Sequence, residues 1–389
     1  MRHEFDVVVV GGGLVGLSVA LALENAGFRL ALVESQPPPP IPQDDSWDHR
    51  VYAISPGTAS FLDALRAWQG FPPERVTRVD AMEIHGDDDT ARLEFSAYNA
   101  GLRELAFIVE NRLLQQQLWR AMDDSTVRAC CPASCAALEL GPQEATLWLS
   151  DRTELVARLV IGADGNDSWV RAQAGIAMKP VDYGQLGVVA NFTCELPHGG
   201  VAFQWFRRDG VLALLPLAGN RVAMVWSLLK ERAERLLALS QHALAAEVVE
   251  ASRGRLGALG AITAPVAFPL RLQRVARLAR PRVALVGDAA HNVHPLAGQG
   301  VNLGFRDARE LAATLATRDG RYDCGDHALL RRYERARAED VALIELTTHG
   351  LQKLFNNDVV WLAGARNAGL KLVNLQPQLK NILIRQAVG

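Results

Sequence analysis

The first hydrophobic pattern along the chain is a β-branched run. Residues 5–10 read Phe-Asp-Val-Val-Val-Val and stop on Gly11-Gly12-Gly13, the profile of a strand buried on both faces. Apolar residues then recur at Leu14, Leu17, Leu21 and Leu23, a helical spacing that ends at Gly27. A second strand is predicted over 29–33, ending at Glu34, and prolines at 37–40 and 42 exclude a regular element beyond it. Strand, helix and strand within about 30 residues make one βαβ unit. The middle of the chain is more strand-like, with predicted strands over 145–149, 155–161, 187–192 and 221–226 and one helical stretch near 233–250. A buried strand returns at Val283-Ala284-Leu285-Val286, followed by a glycine-rich turn and a long helix. From about residue 333 the pattern is that of amphipathic helices.

That return predicts an α/β fold with a discontinuous first domain. Segments 1–75, 100–180 and 271–332 would form it. Segments 76–99 and 181–270 would form an inserted, mostly antiparallel β-sheet domain, and 333–389 a C-terminal helical segment. Composition allows this: 389 residues, 49% hydrophobic, suffice for more than one core. The formal net charge of −2 gives no field that recruits nucleic acid or a membrane. Cysteines at 130, 131, 135, 194 and 324 show no metal-ligand spacing, and their odd count argues against a disulfide framework, so a reducing cytoplasm is expected. The uncharged stretch 7–23 is interrupted by four glycines and falls short of the roughly 20 apolar residues a membrane span needs.

Gly11-Gly12-Gly13-Leu14-Val15-Gly16 fits G-x-G-x-x-G. The first glycine permits a tight turn, the second lets backbone approach a pyrophosphate, and the third allows close helix–strand packing. The following helix would present free N–H groups and the positive end of its dipole to phosphate. Glu34, eighteen residues after Gly16, ends the next strand where an acid meets ribose hydroxyls. Strand, loop, helix and acid together read as a Rossmann-like dinucleotide fold, with NAD and FAD both open on this motif alone. In the second glycine region, Gly287-Asp288-Ala289-Ala290-His291 follows a strand and Pro295-Leu296-Ala297-Gly298-Gln299-Gly300-Val301-Asn302 opens a helix. An Asp at the carboxyl end of a parallel strand suits a polyol chain such as ribitol, and the Gly298–Gly300 turn admits a flat ligand without Cβ obstruction.

These motifs carry a resemblance. The glycine fingerprint, Gly162-Ala163-Asp164-Gly165, and Gly287-Asp288 with His294-Pro295 occur in the order found in flavoprotein monooxygenases of the para-hydroxybenzoate hydroxylase type. The chain specifically resembles the ubiquinone-biosynthesis hydroxylases. Asp48-His49-Arg50-Val51-Tyr52-Ala53-Ile54-Ser55 and Val109-Glu110-Asn111-Arg112 are similar to further signatures of that family, and the likeness covers nearly the whole chain. It implies FAD held by Gly11, Gly13 and Gly16 at the pyrophosphate and by Glu34 at the adenosine ribose. Arg50 and Arg112 would meet the phosphates and ribityl region, Asp164 would sit at a turn used by FAD and nicotinamide, and Asp288 would bind ribityl hydroxyls. Gly298, Gly300, Val301 and Asn302 would offer backbone to the isoalloxazine.

The activity implied is hydroxylation of an aromatic ring, most specifically of a polyprenyl phenol in ubiquinone synthesis. NADH or NADPH would reduce the flavin, and O2 would then give a C4a-hydroperoxide that an electron-rich ring attacks. The cofactor carries the hard chemistry, which accounts for the absence of a Ser/His/Asp triad or a paired-carboxylate pattern. No second complete G-x-G-x-x-G is present, so nicotinamide is expected to bind transiently over the flavin. His294 and Pro295 beside the ring-binding turn, and Phe203, Gln204 and Trp205 on the inserted sheet, are the candidates for lining the pocket. Alternatives are a flavin-dependent reductase or halogenase of the same fold, or a non-catalytic FAD-binding scaffold of a biosynthetic complex. A halogenase Trp-x-Trp is absent among the eight tryptophans. Residues 351–389 carry five basic side chains against one acid. They read either as helices packed on the FAD domain or as a basic face for peripheral contact with the inner membrane or a partner protein.

Overall fold

The computed structural model describes residues 2–40, 44–86, 92–292 and 300–355. Strand β1 (Arg2–Val10) runs into helix α1 (Leu14–Asn25) and returns as β2 (Leu30–Val33), parallel to β1 with Val7 beside Leu30. Val7, Val8 and Val9 are fully buried, as are Leu17 and Leu23 on the helix. Each such side chain contributes about 1.5–3 kcal/mol by leaving water. The helix stops where Gly27, at φ +84°, donates its N–H to the Glu24 carbonyl.

Next come β3 (Val51–Ile54), α2 (Pro56–Ala64), β4 (Thr77–Val79), β5 (Ala81–His85), β6 (Arg92–Ser96) and β7 (Ala106–Glu110). Ser55 caps α2 by accepting the Thr58 N–H, and Pro56 occupies the first helical position, where its missing N–H costs nothing. Strands β3, β7 and β4 form a small antiparallel sheet in which Val51 lies opposite Glu110. The chain continues through α3 (Asn111–Asp123), β8 (Arg128–Cys130), β9 (Cys135–Leu140), β10 (Ala145–Leu149), β11 (Glu154–Gly162) and α4 (Trp169–Gln173).

The second large sheet is built from β12 (Met178–Cys194), β13 (Val201–Arg207), β14 (Gly210–Leu217) and β15 (Arg221–Leu229). Helices α5 (Lys230–Leu237) and α6 (Gln241–Ala251) cover it, and β16 (Leu259–Ala261) and β17 (Val266–Val275) extend it. The single helix expected near 233–250 is two helices. Ser240 accepts the Ala243 N–H and starts α6 afresh, so a cap overrides a leucine spacing that runs straight through. Strand pairing is antiparallel except that β5 joins β13 in parallel, which brings β5 and β6 into this sheet.

After β18 (Ala279–Arg280), strand β19 (Val283–Leu285) re-enters the first sheet, followed by β20 (His291–Asn292), α7 (Gly300–Ala316) and α8 (His327–Phe355). The first sheet has the order β18-β19-β11-β1-β2-β8, with β9 and β10 branching from β11. From β19 to β8 the neighbours are parallel, so the loops after β19, β11, β1 and β2 all leave from one edge. Open α/β sheets bind their ligands at that edge. Among the described residues no helix is long and apolar enough to cross a membrane. Residues 356–389, most of the basic stretch noted above, lie outside the described residues.

Candidate functional site

The loop after β1 is shaped by three glycines with different surroundings. Gly11 has φ +109°, and a Cβ there would lie 2.4 Å from the Ala163 carbonyl oxygen. At Gly16 a Cβ would stand 1.9 Å from the Gly11 oxygen, so only glycine lets α1 pack this closely on the loop. Gly13 is different: a Cβ there meets nothing within 4 Å. It is also the N-cap of α1 and provides no side-chain hydrogen bond to the orphan N–H groups of the first turn. Uncapped donors facing open space fit an anionic ligand.

Glu34, half-buried at the end of β2, accepts the Gly12 N–H at 2.5 Å through Oε2. Its Oε1 accepts the Gln36 N–H at 2.9 Å and the Ser35 hydroxyl at 3.1 Å. A carboxylate has about four acceptor sites, which leaves capacity for a ribose hydroxyl. Asp164 follows β11, but its carboxylate is engaged in holding α4. It accepts the Ser168 hydroxyl at 2.5 Å and the Val170 N–H at 3.0 Å. These two contacts fix the turn beside Gly11.

Asp288 follows β19 on the same edge. Its side chain is exposed, yet desolvation by the surrounding protein pushes its carboxyl up, opposed by the nearby charges of Arg50 and His291. Arg171, which the sequence reading missed, spans the two turns. It is buried and donates to the Ala289 carbonyl at 2.9 Å and the Asn166 carbonyl at 2.7 Å. Helices α1 and α7 meet through Val15, where a Cβ on Gly304 would lie 2.6 Å from Cγ2 and one on Gly287 would lie 3.2 Å from it. This contact sets the start of α7, with Gly300 and Val301, near the glycine loop. The Asn302 side chain faces inward instead, accepting the Ser55 N–H at 3.0 Å and donating to the Ala53 carbonyl at 2.8 Å. Gly298, His294 and Pro295 lie outside the described residues.

The β3–β7 pairing puts Arg50 and Arg112 side by side, because each flanks a paired strand end. Asp48 ties them by accepting the Arg50 N–H at 3.0 Å and the Arg112 N–H at 2.9 Å. Beneath them Glu110 is fully buried. It takes Arg75 bidentately, at 2.7 Å to Nε and 3.0 Å to Nη2, together with the Asp48 N–H at 2.7 Å, and it lies 3.1 Å from Arg112 Nη2. Arg112 also donates to the Ser46 hydroxyl and carbonyl, while its Nε is buried without a partner. An orphaned cationic donor fits a phosphate or ribityl oxygen. The Arg50 guanidinium lies 5.2 Å from the centre of the Tyr52 ring. Burial drives the Tyr52 hydroxyl up to about 12, against the pull of Arg50.

On the second sheet the three candidates divide between the faces. Phe203 and Trp205 belong to the core beneath α5 and α6, with Leu212, Leu214, Met224 and Trp226, and Trp205 stacks on His85 at 5.4 Å. A two-residue period sends Gln204 to the opposite face. Ala202, Ala223 and Leu215 of that face pack toward Val51, Ala53 and Ile108 of the three-stranded sheet. The expectation that Phe203 and Trp205 line the pocket is therefore corrected. On the face that Gln204 shares, Ala213, Leu215 and Val225 retain partial exposure and form an apolar wall.

The residues present fit an FAD: an open pyrophosphate cradle, an acid at the adenosine end, an unpartnered arginine nitrogen and the Asp288 carboxylate. Comparison with known proteins agrees. A family model described as an FAD binding domain matches residues 4–345. The chain is 35% identical over 387 residues to ubiquinone hydroxylase UbiL of Rhodospirillum rubrum, covering 99% of this chain and 89% of that protein. It is 34% identical to the 3-demethoxyubiquinol 3-hydroxylase of Escherichia coli K12, covering 99% and 98%. Among solved structures, PqsL of Pseudomonas aeruginosa in complex with 2-aminobenzoylacetate superposes with a TM-score of 0.79 at 23% identity, over 95% of this chain and all of that one. The chain belongs to the FAD-binding domain family and is an FAD-dependent monooxygenase.

Proposed function

We propose that this monooxygenase hydroxylates the aromatic ring of a polyprenylated phenol on the route to ubiquinone. Ring C–H, O2, NAD(P)H and a proton would give ring C–OH, water and NAD(P)+. Bound flavin supplies the redox and oxygen chemistry. In this reading Gly13 and the first turn of α1 receive the pyrophosphate and Glu34 the adenosine ribose. Arg50 and Arg112 meet the phosphates and ribityl chain, and Asp288 binds ribityl hydroxyls. Backbone N–H groups of Gly300, Val301 and Asn302, at the positive end of α7, stabilise negative charge on the reduced ring. The partly exposed wall of Ala213, Leu215 and Val225 excludes water from the reacting ring, and Gln204 on the same face is placed to orient a phenol hydroxyl.

The observations that carry this reading are an uncapped helix N-terminus and the Asp288 carboxylate at one edge of the parallel sheet, together with an orphaned arginine nitrogen beside the end of the three-stranded sheet. The domain division follows the same reading, with segments 1–75, 100–180 and 271–332 holding FAD, and 76–99 and 181–270 supplying the substrate wall. A polyprenyl tail also suits peripheral contact with the inner membrane through 351–389. Quinone extracts of cells lacking this protein test the function. A polyprenyl precursor short of one oxygen should accumulate, and an unchanged quinone profile would redirect the proposal to another aromatic substrate.

A further inference from the structure

Helix α7 buries a carboxylate on its apolar stripe. Asp307 lies one turn from Leu303 and one turn from Leu311, and all three are fully buried. Its Oδ2 accepts the Gly287 N–H at 2.9 Å and stands 2.6 Å from His291 Nε2. Its Oδ1 accepts Arg337 Nε at 2.7 Å, and Arg337 also donates to Asp340 at 2.5 Å. One turn earlier on α8, Tyr333 donates its hydroxyl to the Leu285 carbonyl at 2.9 Å. The stretch that carries Asp288 is thus gripped at Leu285, Gly287 and His291 by two helices. Burial opposes a charge on His291, but the neighbouring Asp307 more than offsets it and raises the imidazole pKa.

Stability alone gives no reason for such a cluster, since apolar residues of similar volume commonly stabilise a core as well or better. Geometry does give one. Gly287 has φ +59°, and its N–H direction is set by the Asp307 contact, which aims the next residue, Asp288, at the strand edge. We propose that Asp307 is a positioning residue for FAD, and that through Arg337 it couples the docking of α8 to cofactor binding. The proposal rests on the reading of Asp288 as an FAD contact. Coupling of this kind is reciprocal: whatever loosens α8 weakens FAD binding, and FAD tightens α8.

FAD titration of the apoprotein, followed by flavin fluorescence quenching alongside denaturant midpoints, tests it. Asp307→Asn and Arg337→Met should each raise the FAD Kd by about tenfold or more. The double variant, with neither buried charge, should regain the denaturation midpoint but keep the weak FAD binding. A purely structural cluster would recover both together, which overturns the proposal, as does a folded Asp307→Asn with an FAD Kd within about twofold of wild type. Should Asp307→Asn fail to fold, Arg337→Lys reads the same coupling: a raised Kd supports it and an unchanged one overturns it. Wild-type apoprotein that takes up no FAD refutes the site itself, whereas variants that bind as well as a binding-competent wild type refute only the coupling.

Discussion

Gly13 and Gly16, three residues apart, should fail in different ways when replaced by alanine. At Gly16 the new Cβ would stand 1.9 Å from a backbone oxygen and 3.1 Å from the Ala163 Cβ. Real Cβ contacts do not go below 3.0 Å, so helix and loop must part by at least about 1 Å. Overpacking of this size costs about 1–3 kcal/mol or more, a loss of several degrees in Tm, and it also disturbs the cradle. At Gly13 the φ of −77° is ordinary and the Cβ meets only open space, so the fold loses little beyond the modest preference of an N-cap for glycine over alanine. That open space is where the pyrophosphate would sit. Displacing it from one charge-assisted backbone hydrogen bond forfeits about 1.5–3 kcal/mol, or roughly 10- to 150-fold in Kd. Gly13→Ala should therefore combine a near wild-type Tm with a large loss of FAD affinity in apoprotein titration, and Gly16→Ala should lose both. Wild-type FAD binding by Gly13→Ala, or equal loss of stability in the two, would refute the assignment of roles.

Asp288→Asn should trade affinity for stability. The folded-state pKa of Asp288 lies above its usual 3.8, so the folded protein keeps this proton longer than the unfolded chain, and stability falls as pH rises through that window. The variant apoprotein should melt higher than wild type at pH 7 and converge with it below pH 3.8 while binding FAD more weakly; a lower Tm at pH 7 contradicts the account. Glu110→Ala leaves Arg75 and Arg112 facing each other without their anion. Chemical denaturation should register about 3 kcal/mol of lost stability, and a change below about 1 kcal/mol would show that the cluster is solvent-screened. Trp205→Ala should destabilise by about 3–5 kcal/mol with an unchanged KM in the surviving folded enzyme. Gln204→Ala should raise the KM for the aromatic substrate at a smaller stability cost than Trp205→Ala, and the reverse pattern would restore Trp205 to the pocket.

The βαβ start and the glycine turns at 11–16 and 287 were legible because strand, helix and glycine signals are local and reinforce one another. Gly11 and Gly16 are glycines for contacts made within the motif and its neighbouring strand. The facing of 203–205 was not legible: apolar character says that Phe203 and Trp205 are buried, and both faces of this sheet are covered. Strand β12 runs 17 residues through Pro180, Gly184 and Gly187, residues that look like breaks when read alone. Arg171 and Glu110 act on partners 118 and 35 residues away, so no window of sequence reveals them. Asp307 did leave a trace. It is a charge on the buried stripe of α7 between Leu303 and Leu311, as Arg337 is on α8 between Tyr333 and Val341, and two misplaced charges of opposite sign on consecutive helices signal a buried pair.

Turnover under 18O2 addresses the central claim most directly. Purified enzyme carrying FAD, given NADH or NADPH and a polyprenyl phenol, should yield a product whose ring has gained one atom of 18O for each nicotinamide oxidised. Oxidation of the nicotinamide with a product lacking the label, or bearing oxygen from water, would contradict the account.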